Sequence, residues 1–159
     1  MKITMYTIAE IKDLSNEQKL RLFELWNNEY PEKLCYPSLS DFEDYLGKLD
    51  NKTHFLLKDE NKKIAGWALL FERAKETWFA IIVDTSFQGK GLGSKLLERL
   101  KSKTNTLNGW VIDHNNDKKS DGSIYKSPII FYIRNQFKIN NVIRLELDII
   151  SAVKIEWTK

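Results

Sequence analysis

Gln88-Gly89-Lys90-Gly91-Leu92-Gly93-Ser94 is the stretch that decides how this chain is read. Before it runs an apolar segment with strand character, residues 78–83, and an amphipathic helix opens near Gly91. Glycine at 89, 91 and 93 lets the backbone pass close to a ligand with no Cβ in the way. The first turn of the following helix leaves amide N–H groups unpaired, at the positive end of the helix macrodipole. A bend of that kind takes phosphate, and a diphosphate fits it well.

Spacing narrows the choice of phosphate ligand. No G-x-x-x-x-G-K-[ST] string occurs, so a Walker A loop is excluded. The glycines stand as G-x-G-x-G, so the dinucleotide fingerprint G-x-G-x-x-G fails as well. The pattern present is Q-x-x-G-x-G, from Gln88 through Gly91 to Gly93, after a strand ending Ile81-Ile82-Val83-Asp84. A second segment, Phe131-Tyr132-Ile133-Arg134-Asn135-Gln136-Phe137, follows downstream.

Together the two segments resemble the signature of the GNAT superfamily, the acetyl-CoA-dependent N-acetyltransferases. The resemblance implies that residues 88–94 bind the pyrophosphate of coenzyme A. It also implies that Tyr132, in the family's "F-Y-x-x-x-G-F" helix end, protonates the departing thiolate. Gln136 stands where glycine is usual, and Tyr125 and Pro128 where an upstream Asn and Ala are usual. That helix is therefore expected to begin with Ser127 as N-cap and Pro128 at its first position, Ser127 being only secondarily a cofactor contact.

Composition bounds the rest. At 159 residues, 42% of them hydrophobic and 12% aromatic, the chain is most simply one domain, residues 1–159, with a sizeable core. A net charge of +3 is too small and dispersed for a nucleic-acid binder, which carries a basic face. The nearest basic run, Lys118-Lys119, is flanked by Asp117 and Asp121. The single cysteine, Cys35, cannot form an intrachain disulfide and fits a reducing compartment. Residues 1–6 alternate as a strand does, unlike a signal peptide, and no apolar run approaches the roughly 18 residues of a membrane helix. The expectation is a soluble, cytoplasmic protein. No metal is expected, because His54, His114 and Cys35 have no ligand spacing.

Along the chain, residues 2–9 read as a strand. A helix capped by Ser15 with Gln18 carries Leu20, Phe23, Trp26 and Tyr30, and a second is expected from Ser40 with Glu43. Strands follow at 54–58 and 63–71, joined by a turn at 59–62, and then at 78–83. The helix after the glycines puts Leu92, Leu96, Leu97 and Leu100 on one face, with Lys95, Glu98, Arg99 and Lys101 opposite. Asn108-Gly109 is expected to end it before a strand at 110–112. Residues 113–123 read as an aperiodic loop, and 142–150 and 153–157 as terminal strands. The fold class is α+β, an α/β sandwich with a mixed, mostly antiparallel sheet of six or seven strands flanked by four helices. The resemblance makes this the GNAT-like acyl-CoA N-acyltransferase fold, and a homodimer through the C-terminal strands is one expectation.

Transfer from acetyl-CoA to an amine needs a held thioester, a polarised carbonyl, a neutral amine and a protonated leaving thiolate. Ile82 and Val83 are placed along the pantetheine arm, in a slot between 82–83 and 110–112, with an amide near Val83 facing the oxyanion. Losing one such donor costs about 2.7–4 kcal/mol of barrier. An ammonium with a pKa of about 10.4 must lose a proton, so a base or water relay is required. Asp84, Asp113, His114, Glu29 and Glu72 are the candidates. His114 has the most suitable intrinsic pKa and is named with Tyr132 as catalytic. His54 and most tryptophans read as core, and Cys35 as unreactive. The acceptor, a small-molecule or peptide amine, is expected near residues 29–36 and 113–123, where acidic Glu29, Glu32, Asp41 and Glu43 suggest a cation. The rival reading is a non-catalytic acyl-CoA-binding sensor.

Overall fold

A computed structural model describes residues 5–159, so the expected strand at 2–9 lies partly outside the described residues. In chain order the elements are β1 (Thr7–Ile11), α1 (Asn16–Glu29), α2 (Leu39–Gly47), β2 (Asp50–Lys58), β3 (Ile64–Arg73), β4 (Glu76–Val83), α3 (Leu92–Lys101), β5 (Thr106–Val111), α4 (Ile129–Arg134), β6 (Lys138–Leu147) and β7 (Ile150–Thr158). The strands make one seven-stranded sheet in the order β1-β2-β3-β4-β5-β7-β6. Every neighbouring pair is antiparallel except β4 and β5, which run parallel. Fold class and element order are those expected from the sequence.

Local chemistry sets the elements. Ser15 Oγ accepts from Gln18 N at 3.1 Å, and Gln18 Oε1 accepts from Ser15 N at 2.9 Å, closing the capping box of α1. That helix buries Leu22, Leu25 and Trp26, whereas Leu20 is left exposed. α2 starts earlier than expected: the cap is Ser38, not Ser40, its hydroxyl accepting from Asp41 N at 3.2 Å. In the β2–β3 turn Asp59 Oδ1 accepts from the amides of Asn61 and Lys63, each at 2.9 Å.

Three expectations are corrected in the second half. α3 buries the four leucines as foreseen, but Lys101 is buried too, its Nζ donating to Asn135 O at 2.7 Å between the rings of Phe137 and Trp157. Asn108-Gly109 lies inside β5 and breaks nothing. Asn108 Nδ2 donates to Thr77 O at 3.1 Å, and a Cβ at Gly109 would sit 2.9 Å from the Phe79 ring, so packing selects both residues. β6 begins at Lys138, because the pairing jumps from Asn140↔Lys154 to Arg144↔Val153 and residues 141–143 bulge out, which hid the alternation.

The sheet is covered on both faces. α3 and α4 pack on one face around Phe79, Leu96, Leu100 and Ile155, and α1 and α2 on the other around Trp26, Phe42 and Trp67. His54 belongs to the second layer, its Nδ1 accepting from Trp67 Nε1 at 3.1 Å, and burial pushes its pKa down to about 4. Among the described residues no helix is long and apolar enough to cross a membrane.

Candidate active site

β4 and β5 share one paired position, Trp78↔Asn108, and Trp110 packs on Trp78 at 5.2 Å between ring centroids. Past that point the ladder between them stops. Asp84 N donates to Ala65 O at 2.9 Å, which fixes the phase of β4 against β3. Backbone groups alternate sides along a strand, so those of Ile81 and Val83 point away from β3, into the gap. Ile82 lines the gap as expected, but its backbone faces β3, and Ile81 takes the place the sequence reading gave it. The strand phase that distinguishes them was set by a partner not visible from the sequence.

The gap widens into a cleft of about 690 Å³ that reaches the glycine bend. A short 3-10 turn, Thr85–Phe87, leads into the bend, capped by Asp84 Oδ1 accepting from Ser86 N at 2.8 Å. Gln88 Nε2 donates to Val83 O at 2.9 Å, so its side chain braces the bend. Gly89 and Gly91 have φ of +79° and +75°, and nothing lies within 4 Å of where a Cβ would project. The first bond of α3 runs from Lys95 N to Gly91 O, leaving the amides of Leu92, Gly93 and Ser94 without helical acceptors. Gly93 is needed for a different reason: a Cβ there would meet Phe131 of α4 at 3.1 Å. Lys90 is exposed, stands outside the cleft wall and lies 5.6 Å from the Phe87 ring centroid.

α4 brings Tyr132 to the same cleft, packed edge-on against Phe79 at 5.7 Å and Phe137 at 5.4 Å. Burial pushes its phenol well above the ordinary value, so the hydroxyl stays protonated at neutral pH. Ser127 Oγ accepts from Ile129 N at 3.3 Å and donates to Ile112 O. The N-cap of α4 is nevertheless Pro128, not Ser127, because the helix starts one residue later than expected, at Ile129; Ser127 is absent from the cleft wall.

His114 is also outside the wall. Its Nδ1 accepts from Asn116 N at 3.1 Å, and its Nε2 lies 4.0 Å from Asp117. Asp113 is held by Arg144 through two bonds of 2.8 and 3.0 Å, and Glu72 by Asn51 at 2.8 Å. Burial acts to raise the Asp84 carboxyl, but Arg21 at 2.7 Å and the Ser86 amide outweigh it and leave it below its ordinary value. Of the five candidate bases, Glu29 is the one that lines the cleft. Its Oε1 accepts from Thr85 Oγ1 at 2.7 Å and Lys119 Nζ at 3.2 Å, and its Oε2 from Thr85 N at 2.9 Å.

The segment expected to be an aperiodic loop is a strap. Lys119 N donates to Ser123 O at 2.8 Å, with Gly122 at φ +87° in the bend. Glu32 N donates to Lys118 O at 2.8 Å, and Ser120 Oγ to Asn27 O at 3.1 Å, fastening the strap to the end of α1. Lys119, Ser123 and Tyr125 thereby enter the cleft wall beside Glu29 and Tyr30. Contacts between residues ninety positions apart leave no local signal in a sequence.

The family model of the acetyltransferase (GNAT) family matches residues 19–117. The chain belongs to that family. Acyl transfer from acetyl-CoA is therefore the reaction class of this GNAT protein. The match takes in the glycine bend and both strands beside it but ends before α4, so the placement of Tyr132 rests on geometry. Solved structures share the fold. An aminoglycoside 6'-N-acetyltransferase complexed with coenzyme A superposes with a TM-score of 0.71 at 14% identity, covering 96% of each chain. The ribosomal-protein-S18-alanine N-acetyltransferase from Escherichia coli gives 0.64 at 21%, covering 97% of this chain and 94% of that one. A spermidine N-acetyltransferase from Vibrio cholerae, in complex with coenzyme A and spermine, gives 0.65 at 17%, covering 96% and 95%. No curated protein matches the sequence.

Proposed function

We propose that this chain, acting as one domain, transfers the acetyl group of acetyl-CoA directly to the nitrogen of an amine. The observation that carries the reading is the meeting of three features in one cleft: an open glycine bend, an unpaired edge of β4, and Tyr132. The amides at the start of α3 take the pyrophosphate. The outward backbone of Ile81 and Val83 pairs with the pantetheine arm as an added strand would. The Val83 N–H donates to the thioester oxygen as it gains charge in the tetrahedral intermediate. Tyr132 hands its proton to the leaving thiolate, for which a raised phenol pKa keeps the proton in place until it is needed.

The acceptor end of the cleft carries Glu29, a carboxylate suited to draw in an ammonium and to take its proton, alone or through water. The structural neighbours named for aminoglycoside, spermidine and protein-alanine acetylation all act on amines, which agrees with an N-acetyl product. Thermal unfolding with ligand is the first test. Acetyl-CoA at a hundredfold excess over its Kd stabilises a binding protein by about 2.7 kcal/mol. Stabilisation by acetyl-CoA but not by inorganic pyrophosphate is the expected result, and release of free thiol with a panel of amines separates an enzyme from a sensor. No stabilisation refutes the reading.

A further inference from the structure

The cleft holds an amine of its own. Lys119 stands in its wall with Val83, Thr85, Glu29 and Tyr132, its side chain 16% exposed, whereas the adjoining Lys118 is exposed and outside the wall. We propose that Lys119 is an internal acetyl acceptor: acetyl-CoA bound in the cleft acetylates Lys119 Nζ of the same chain, and the modified side chain releases Glu29. This rests on the acetyl-transfer reading above and goes beyond it, because it names a modification site and a consequence for the cleft.

Geometry brings the two reactants together. Lys119 Nζ lies 3.3 Å from Thr85 Oγ1, two residues past Val83. Thr85 opens the 3-10 turn after β4, and two residues of chain span at most about 7 Å, so Nζ stands near a thioester seated on the Val83 amide. Lysine carries its ammonium on a flexible four-carbon stem, so pivoting closes that gap. The strap meanwhile fixes the backbone of Lys119 at the rim, where it bridges to Pro31. Glu29 Oε1, 3.2 Å from Nζ, is already placed to take a proton.

The step balances without any further reactant. The ammonium gives one proton to Glu29 and from there to solvent. The freed lone pair forms the N–C bond to the thioester carbonyl, and the C–S bond breaks. The thiolate takes the proton of Tyr132, and the phenol is restored by the second proton lost from nitrogen. The products are Nζ-acetyl-lysine, free coenzyme A and one proton to water. An amide nitrogen carries no charge, so the ion pair with Glu29 is lost and the carboxylate becomes available to an outside ammonium. Self-acetylation would thus open the acceptor end of the cleft.

The test is to incubate the purified protein with acetyl-CoA and no added amine, and to locate acetyl groups by fragmentation mass spectrometry. Cleavage at acidic residues keeps Lys118 and Lys119 distinguishable. Lys119 is expected to be labelled at least about tenfold faster than Lys118, because only a thioester held in place reaches a high effective concentration. The rate per chain should not change when the protein is diluted. Lys119→Arg should remove that labelling and leave the slow background on exposed lysines. Equal rates at Lys118 and Lys119, or a rate at Lys119 that falls on dilution, would overturn the proposal. Stabilisation by coenzyme A with no label on Lys119 defeats self-acetylation alone, and no stabilisation defeats the underlying reading as well. If arginine prevents folding, the dilution series on the native chain decides.

Discussion

The two halves of β4 make opposite use of the same neighbour. In the first half Trp78 pairs with Asn108, Thr77 O accepts from the Asn108 side chain, and Gly109 lets Phe79 lie flat on β5. In the second half Ile81 and Val83 face the same way and meet no ladder. Parallel pairing begins, is reinforced by a side-chain amide, and stops. A strand edge left unpaired inside a protein normally destabilises it, since buried amides without partners cost about 1–3 kcal/mol each. Here the packed half carries the stability and the unpaired half is left for a ligand.

The largest test of that contrast acts on the unpaired half. Tyr132→Phe should lower turnover on the order of 10²-fold or more while leaving stabilisation by acetyl-CoA intact. Unchanged turnover would remove Tyr132 from the acid role. Acid should instead weaken the packed side of the sheet. His54 binds its proton only near pH 4 when folded but near its ordinary value of 6.5 when unfolded. The unfolded chain therefore takes up more protons across that window, and stability falls as pH drops from 6.5 towards 4, by about 3 kcal/mol at most. Urea unfolding at three pH values measures it, and His54→Gln should flatten the slope.

Gly109→Ala strikes the packed half directly. With the Phe79 ring only 2.9 Å from the new Cβ, overpacking should cost about 1–3 kcal/mol in chemical unfolding. Gly89→Ala is the gentler counterpart at the open end. No atom lies within 4 Å of the new Cβ, so the loss is limited to about 1–2 kcal/mol for a left-handed backbone. Its larger signature should be weaker coenzyme A binding by titration calorimetry. If both glycine variants lost the same stability and neither lost binding, the division of β4 would fail.

The order of elements was legible because each carries its own periodicity or turn chemistry: the Ser15 box, the leucine face of α3, and the Asp59 turn. Errors fell where one residue answers to a distant partner. Asn108-Gly109 reads as a break until Thr77 and Phe79 are beside it. β6 lost its alternation to the bulge at 141–143. At the site the glycine bend was visible, as a local motif must be. That Glu29 lines the cleft and His114 does not was hidden, since it depends on Thr85 and on a strap that folds back to α1.

The brace from Gln88 to Val83 O has one more effect. With one lone pair of that carbonyl already engaged, the last rung of β4 offers its N–H freely to a visitor and accepts less readily. Whatever docks there is favoured when it presents an oxygen, not an N–H, at that height. An arm threaded one atom-group out of step would meet a poorer match, so the brace biases the thioester tail towards a single register.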